Sequence, residues 1–219
     1  INIINFIQDY KITSVDRIGK SFMIRGVSDY DWVYFSSHSE EEMNTLIGFL
    51  GKDDRCFAVI EEWMKPLIPG YEDLVWQLVC EKLYWPVDKP IPPIKENIIS
   101  LKPEMAEYIY QLYQYSEFSS PEYIRDRINR GPALGIMDAD RLIAWIMTHD
   151  DGAMGVLQVL PEYRRKGLGQ ALTFALVTRL LNQNRLPFIH IEPDNEKSMG
   201  LALKAGFVHD RRISWFERR

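Results

Sequence analysis

The sequence predicts a mixed α/β protein in which a smaller mixed domain precedes a larger mixed sheet flanked by helices. Of its 219 residues, 46% are hydrophobic and 26% are charged, a balance typical of folded globular chains. Short apolar runs typical of strands alternate with stretches of helical periodicity. A chain of this length buries roughly 70% of its surface on folding, so its core requires no disulfide or metal.

A proline-rich segment divides the chain. The run WPVDKPIPP at residues 85–93 holds four prolines, which lack a backbone donor and disfavour helix at the preceding residue. We therefore predict an N-terminal mixed α/β domain of unassigned function at 1–84. A linker is predicted at 85–96 and a second domain at 97–219.

In the first domain, strands are predicted at the short apolar or aromatic runs 21–24, 32–35 and 56–60. A helix is predicted over 40–50, where acidic residues precede apolar residues at helical spacing. A second helix is predicted over 74–83, because three leucines lie along one side. Nothing in this domain has the spacing of a catalytic site.

The second domain begins with predicted helices at 104–115 and 121–130. The latter opens with a serine and a proline, which are favoured at a helix start. Strands at 134–137 and 142–148 form a predicted hairpin, and a further turn leads to a strand at 154–159.

A loop at 161–169 then leads into a strongly apolar helix. The next predicted strand spans 188–192. The helix that follows ends at Gly206, where the backbone can turn left-handed. A final strand is predicted at 213–216.

The loop carries the chemistry of an anion site. Arg164-Arg165-Lys166-Gly167-Leu168-Gly169 places glycines and three basic side chains at the start of a helix. Glycines expose backbone N–H groups, and a helix N-terminus attracts phosphate. The Gly-Lys-Ser/Thr of a nucleoside triphosphate loop is missing, and so is a GxGxxG dinucleotide motif. The alternative is an ordinary glycine-rich helix start on a solvated basic turn.

Two longer motifs resemble a known superfamily. Val159-x-Pro161-Glu162-Tyr163-Arg164-x-x-Gly167-x-Gly169 resembles the acetyl-coenzyme A signature of the GNAT (GCN5-related) N-acetyltransferases. Asn195-x-x-Ser198-x-x-Leu201-x-x-Lys204-x-Gly206-Phe207 resembles their helix that ends in Gly-Phe. Ala144-Trp145, followed by Asp150–Gly152 and Met154–Val159, is similar to the glycine N-acyltransferase-like branch. The resemblance covers residues 97–219 and leaves open that residues 1–96 are a degenerate copy of the same fold.

The resemblance implies a sheet that splays between strands 154–159 and 188–192, with acetyl-coenzyme A as cosubstrate between them and no metal. In this family the strand edge binds the pantetheine arm, the loop wraps the pyrophosphate and the later helix adds contacts. The cofactor-binding residues implied are Leu157, Gln158, Val159, Arg164, Arg165, Lys166, Gly167, Leu168, Gly169, Gln170, Asn195 and Ser198. For Asn195, a plain helix N-cap is an equally good interpretation.

The implied reaction is direct attack of an amine on the thioester. His190 and Glu192 are the candidate bases, because strand alternation puts both on one face. The alternatives are a hydrogen-bonded core histidine, and a carboxylate that binds the substrate's positive charge or caps the next helix. Ala202 stands where many members have a tyrosine acid, which leaves the acid unassigned. His149 and residues 150–151 are interpreted as turn residues.

Charge and composition limit the partners. The net charge is −5, although residues 160–219 carry 11 basic and 6 acidic side chains. This balance disfavours nucleic acid and suits a small polyanionic ligand. No run approaches the ~18 apolar residues of a membrane span, and two cysteines suit a reducing cytoplasm. We expect a small-molecule amine as acceptor, with the oligomeric state open. The alternatives are a protein N-acetyltransferase and a non-catalytic acyl-coenzyme A-binding or regulatory module.

Overall fold

A computed structural model describes residues 1–114 and 119–219 of the chain. These residues form two compact units. The first unit contains residues 1–82, together with the segments 191–195 and 210–219. The second contains 83–190 and 196–209. Tyr115, the predicted end of a helix, lies outside the described residues.

The elements are numbered in chain order. The helices are α1 (Asn2–Asp9), α2 (Glu40–Ile47), α3 (Ala106–Leu112), α4 (Pro121–Arg130), α5 (Leu168–Asn182) and α6 (Glu196–Ala205). The strands are β1 (Lys11–Ile18), β2 (Ser21–Val27), β3 (Asp31–Ser36), β4 (Cys56–Glu61), β5 (Leu74–Tyr84), β6 (Ile99–Ser100), β7 (Ala133–Asp138), β8 (Arg141–Thr148), β9 (Met154–Val159), β10 (Phe188–Ile191) and β11 (Val208–Arg218).

The first unit is built on a mixed sheet with the strand order β1-β2-β3-β4-β11-β5. β1, β2 and β3 run antiparallel, and α2 then leads into β4, which pairs in parallel with β3. β11 closes on the other edge of β4, and Phe216 stacks on Phe57 with ring centroids 5.0 Å apart. These two rings lie in a core that also contains Met43 and Leu46 of α2.

The second unit has the strand order β10-β9-β8-β7-β6. β6 to β9 are antiparallel, while β10 runs parallel to β9. Within the described residues, Ile189 opposite Met154 is the one register pair that joins β10 to β9. The strands therefore separate beyond Met154, which leaves one edge of β9 without a strand partner. The predicted fold class, a mixed sheet flanked by helices, is confirmed.

A β-bulge lies in the strand that borders this gap. The register of β8 against β9 shifts between Trp145 and Met147. Opposite that shift, Val156 has a φ of +51°, in the left-handed region that β-branched residues rarely adopt. The Val156 side chain is nevertheless buried, so the surrounding core holds the strained backbone in place.

The structure corrects one predicted element. Residues 74–83, predicted as a helix, form strand β5. The segment LVWQLVCEKLY is rich in β-branched and aromatic residues, which favour strands. Its first four positions alternate between half-buried and exposed, as in a strand with one face on a core. The leucines at 74, 78 and 83 therefore reflect composition rather than helical periodicity.

The segment predicted as a linker begins with a residue that is packed in the core. Trp85 is fully buried and contacts Phe174 of α5 and Phe207 edge to face. Its backbone N–H donates to the carbonyl of Pro187 at 2.8 Å. The boundaries at 84, 85–96 and 97 stay a prediction. In the part of the chain that the structure describes, no helix combines the length and apolar character needed to cross a bilayer.

Candidate functional site

The loop between β9 and α5 presents backbone donors. Arg165 has a φ of +63° and Gly167 a φ of +85°, so two left-handed residues flank Lys166. Gly167 is the N-cap of α5, and no side chain caps that helix. The first N–H groups of α5 are therefore available to a ligand, and the positive end of the helix dipole favours an anion there.

The three basic side chains of this loop face solvent. Arg164, Arg165 and Lys166 are exposed. Among the described residues, none of the three makes an ion pair with a carboxylate. Arg164 donates from Nε to the carbonyl of Val159 at 3.0 Å, which ties the loop to the end of β9. The Lys166 ammonium lies 5.0 Å from the centre of the Tyr163 ring.

The nearby acid, Glu162, is paired with a base outside the loop. A hydrogen bond from its own backbone N–H and a 2.8 Å ion pair with Arg141 hold the pKa of Glu162 below its ordinary value. Tyr163 donates its hydroxyl hydrogen to Asp138 at 2.6 Å, and that bond raises the pKa of the phenol. Glu162 is therefore anionic but paired, and Tyr163 is protonated and engaged at the β7–β8 turn.

Gly169, at the start of α5, lies close to strand β9 and helix α6. A Cβ built on Gly169 would lie 3.7 Å from Val159 of β9 and 3.7 Å from Leu201 of α6, which are ordinary contact distances. At Gly167 a Cβ would meet nothing within 4 Å. The protein therefore leaves open space above Gly167, while Gly169 is in ordinary contact with both neighbours. The structure thus brings the end of β9, the loop, the start of α5 and helix α6 together.

The predicted strand-edge residues lie in β9 as expected from the sequence. Leu157, Gln158 and Val159 are half-buried and follow the bulge. The Gln158 amide donates to the carbonyl of Leu112, and its oxygen accepts from the backbone N–H of Gln114 at 3.2 Å. The Gln158 side chain therefore holds β9 against the end of α3, while the edge towards β10 lacks a strand partner beyond Met154.

The candidate bases have different surroundings. His190 lies in β10 with a side chain only 9% exposed, and its Nδ1 is 3.7 Å from Oδ2 of Asp151. β10 ends at Ile191, so Glu192 follows the strand, half-buried, and its carbonyl accepts from the N–H of Asn195 at 3.0 Å. Glu192 and Asn195 belong to the segment 191–195, which groups with the first unit.

Asp151 is a candidate site residue that the sequence does not reveal. It was interpreted as a turn residue, and it does lie in the β8–β9 turn, but its side chain is only 3% exposed. Aspartate is so common in turns that its type and position carry no sign of a second role. The signal is its proximity to His190, which is 39 positions later in the chain.

Helix α6 carries the remaining predicted residues. Ser198 is half-buried in its first turn. The Ala202 methyl is buried, and its carbonyl accepts from the N–H groups of Gly206 and Phe207 at 2.9 and 3.0 Å. Gly206 has a φ of +113° and ends the helix, as predicted. No hydroxyl is therefore present at the position where the sequence resemblance implies a tyrosine in many GNAT proteins.

A cavity of about 290 Å³ lies elsewhere in the second unit. Its lining includes Arg130, Arg179, Gln183 and Arg185, at the ends of α4 and α5, and none of the predicted site residues. Within the described residues, no group of three or more His, Cys, Asp or Glu side chains is arranged to hold a metal ion.

Comparison with known proteins gives the fold a family context. Residues 133–216 match the family model described as FR47-like protein. A Drosophila protein of solved structure is 19% identical, with a TM-score of 0.74 over 94% of this chain and 78% of that one. A GCN5-related N-acetyltransferase-like protein from Streptococcus suis is 14% identical, with a TM-score of 0.57 over 99% and 93%.

A tandem GNAT protein from the clavulanic acid biosynthesis pathway is 12% identical, with a TM-score of 0.53 over 99% of this chain and 87% of that one. No sequence match among curated proteins accompanies these structural ones. Identities this low establish the fold rather than the activity. The chain has the fold of the GNAT acetyltransferases, and its residues 133–216 match the FR47-like family model.

Proposed function

We propose that this protein is an N-acetyltransferase that transfers an acetyl or other acyl group from coenzyme A to an amine of a small molecule or amino acid. The observation that carries the proposal is the combined geometry of β9 and its loop. A strand edge without a partner leads into an uncapped helix start with two left-handed residues and three basic side chains. The proposed glycine N-acyltransferase-like specificity rests on the sequence resemblance.

The residues of the loop fit the pyrophosphate of coenzyme A. Its oxygens would accept from the N–H groups of Gly167, Leu168 and Gly169, with Arg165 and Lys166 adding positive charge. The edge of β9 at residues 157–159 would pair with the pantetheine amides, as an added strand pairs with a sheet edge. Ser198 of α6 and Asn195 are the further proposed contacts.

Catalysis would come mainly from holding both reactants in one site. The acyl-coenzyme A substrate supplies a thioester whose carbon forms a bond to the amine nitrogen as its bond to sulfur breaks. The amine must lose a proton, and the proposed acceptor is His190, with Glu192 as the alternative. Ala202 has no proton to donate to the departing thiolate. That proton would therefore come from the group that deprotonates the amine, or from solvent.

The same alanine supports a second candidate. A GNAT fold without a tyrosine at this position also suits an acyl-coenzyme A-binding module that does not catalyse transfer. A protein acceptor is a further variant, because residues 1–96 carry 10 basic and 16 acidic side chains and so favour a basic partner. The free cysteines Cys56 and Cys80 are both buried, which agrees with the proposed cytoplasmic location.

Calorimetric titration with acetyl-coenzyme A tests the binding site, and release of free thiol with a panel of amines tests transfer. We expect binding by the wild-type protein and loss of binding in Gly169→Glu, because the side chain adds bulk and negative charge where the pyrophosphate would lie. Gly200→Glu is the matched control, since a side chain at Gly200 meets nothing within 4 Å and projects from exposed α6.

Equal affinities for the two glutamate variants, both folded, would overturn the assignment of the loop. Binding without thiol release from any amine or basic peptide would favour the non-catalytic module. Release with peptides alone would favour the protein acceptor.

A further inference from the structure

A buried carboxylate at the β8–β9 turn is held in place by the backbone. Oδ1 of Asp151 accepts from the N–H of Ala153 at 3.0 Å. The turn itself is tight: Gly152 has a φ of +84°, and the N–H of His149 donates to the carbonyl of Ala153 at 2.7 Å. Burial of a carboxylate is costly unless polar groups surround it. A buried position of this kind is therefore unfavourable for an aspartate unless polar groups surround its carboxylate.

The second oxygen of this carboxylate faces an imidazole. Oδ2 of Asp151 is 3.7 Å from Nδ1 of His190, and both side chains are at most 9% exposed. The backbone keeps this approach fixed, because Ile189 and Met154 are the register pair that joins the two strands beside it. A carboxylate near Nδ1 favours the tautomer with hydrogen on Nδ1, which leaves the lone pair on Nε2.

We propose that Asp151 is a positioning residue that keeps Nε2 of His190 ready to accept the amine proton in the acyl transfer; this rests on the function proposed above. Nε2 takes a proton from the amine as the C–N bond forms, and the Asp151 carboxylate stabilises the resulting imidazolium. The C–S bond breaks, and the imidazolium returns the same proton to the thiolate. Amine and thioester become amide and thiol, and the histidine ends neutral.

This arrangement accounts for the alanine on α6. One histidine that first accepts and then donates the proton needs no second acid, so a tyrosine at Ala202 is dispensable. A lone imidazole would be a poorer choice, because its two tautomers interconvert and one of them places hydrogen on Nε2. The carboxylate removes that ambiguity.

The other charged or titratable groups near the turn have their own contacts. They are Tyr123 and Arg127 of α4, His149 and Asp150. The Tyr123 hydroxyl is 3.0 Å from Nδ1 of His149, and buried Arg127 donates from Nε to the carbonyl of Thr148 at 3.0 Å. On its own strand, His190 contacts the ring of Phe188, with ring centroids 5.4 Å apart. Each of these groups has a contact of its own, and the Asp151 carboxylate approaches Nδ1 of His190.

The first test needs no assay of activity. Nitrogen-15 NMR of the four histidines in the full-length protein reports the tautomer and the pKa of each. We expect His190 to carry hydrogen on Nδ1, and Asp151→Asn to lower its pKa, because the nearby negative charge is lost. The variant keeps an oxygen for the N–H of Ala153, so the turn should stay folded.

The second test uses an amine found active in the thiol-release panel. We expect Asp151→Asn to lower kcat by roughly 10²–10⁴ with little change in KM for acetyl-coenzyme A. The rising limb of the pH–rate profile should move to lower pH. Asp150→Asn, in the same turn, is the matched control and should keep the wild-type rate and profile.

The two proposals can fail separately. Hydrogen on Nε2 of wild-type His190, or an unchanged histidine pKa and pH profile in Asp151→Asn, would overturn the role of Asp151 even if acyl transfer is observed. Transfer at the full rate by His190→Gln would overturn that role as well. A wild-type protein that binds no acyl-coenzyme A would instead overturn the proposed function, whatever the NMR shows of this pair.

Discussion

The two units of this protein follow the same order of elements but treat the parallel strand pair differently. In each, three antiparallel strands lead through a helix to a strand parallel with the third: β1-β2-β3-α2-β4 in the first and β7-β8-β9-α5-β10 in the second. β3 and β4 pair at three successive residues, from Trp32↔Cys56 to Tyr34↔Ala58. β9 and β10 pair at one, so the stretch without a strand partner is longer in the second unit: residues 155–159 of β9, compared with residues 35–36 of β3.

The helix that follows the third strand also differs. α2 begins with Glu40, Glu41 and Glu42, and the Ser39 hydroxyl accepts from the N–H of Glu42 at 3.2 Å. That helix start is already capped and negative. α5 begins after a glycine with no side-chain cap and three basic residues before it. The same topology therefore has an uncapped, basic helix start in the second unit and a capped, acidic one in the first.

In this fold, therefore, the same order of strands and helices can be combined with different charges and capping at the helix start. We propose that the first unit is a degenerate copy of the GNAT fold that has lost its coenzyme A site. The loss would need few changes: longer strand pairing and a capped, acidic helix start.

The broadest test of this comparison is the stoichiometry of binding. We expect one molecule of acetyl-coenzyme A per chain by calorimetry, since the equivalent helix of the first unit, α2, starts with a side-chain cap and three glutamates. Two equivalent sites per chain would contradict the degenerate-copy proposal.

Charge reversal at the start of α5 and at the start of α2 should affect coenzyme A affinity differently. Arg165→Glu with Lys166→Glu should weaken coenzyme A binding by about 10²–10⁴-fold, because two charge-assisted contacts to phosphate, each worth roughly 1.5–3 kcal/mol, are lost. Glu40→Lys with Glu41→Lys on α2 should leave the affinity unchanged. A comparable loss in both double variants, measured by titration at low salt, would mean that long-range charge rather than the loop controls binding.

Two glycines of the second unit should respond oppositely to alanine. A side chain meets nothing within 4 Å at either Gly167 or Gly200, but Gly167 has a φ of +85°, whereas Gly200 lies within α6. Gly167→Ala should destabilise the protein by about 1 kcal/mol through backbone strain, and Gly200→Ala should stabilise it by about 0.5–1 kcal/mol. Chemical denaturation measures both, and equal effects would argue against a strained loop.

The smallest expected effect concerns acid stability in the first unit. Burial acts to raise the pKa of Asp54, but hydrogen bonds from Arg25 and from the N–H of Gly51 outweigh it, so the pKa lies below its ordinary value. Asp54 therefore stabilises the fold above about pH 4, the range of an unfolded carboxyl. That contribution is lost as the pH falls through the folded pKa.

Asp54→Asn should reduce this dependence by about 1 kcal/mol or less between pH 6 and pH 3, as judged from denaturation midpoints. Asp53→Asn, one position earlier, is the matched control and should keep the wild-type slope. If both variants keep it, Arg25 does not hold the charged form of Asp54.

Much of the second unit was predictable because its signals are local. Strand 154–159, the Ser120 cap of α4 and the end of α6 at Gly206 follow from periodicity and capping chemistry. Segment 74–83 was predicted wrongly, since a short apolar run with both charged and aromatic residues fits either period. The pairing of Asp151 with His190 could not be predicted, because it depends on register across two strands and leaves no local mark in the sequence.

The last strand has a consequence for how this protein is made. Residues 210–219 complete the first unit: Phe216, fully buried, lies opposite Phe57 on β4. A ribosome adds about 5–20 residues per second, so β4 waits roughly ten seconds or more between its own synthesis and the arrival of β11. During that interval its edge is an open template for other chains. The N-terminal unit is therefore translated first but completed last, and a ribosome that stalls in the second half releases a fragment prone to aggregation.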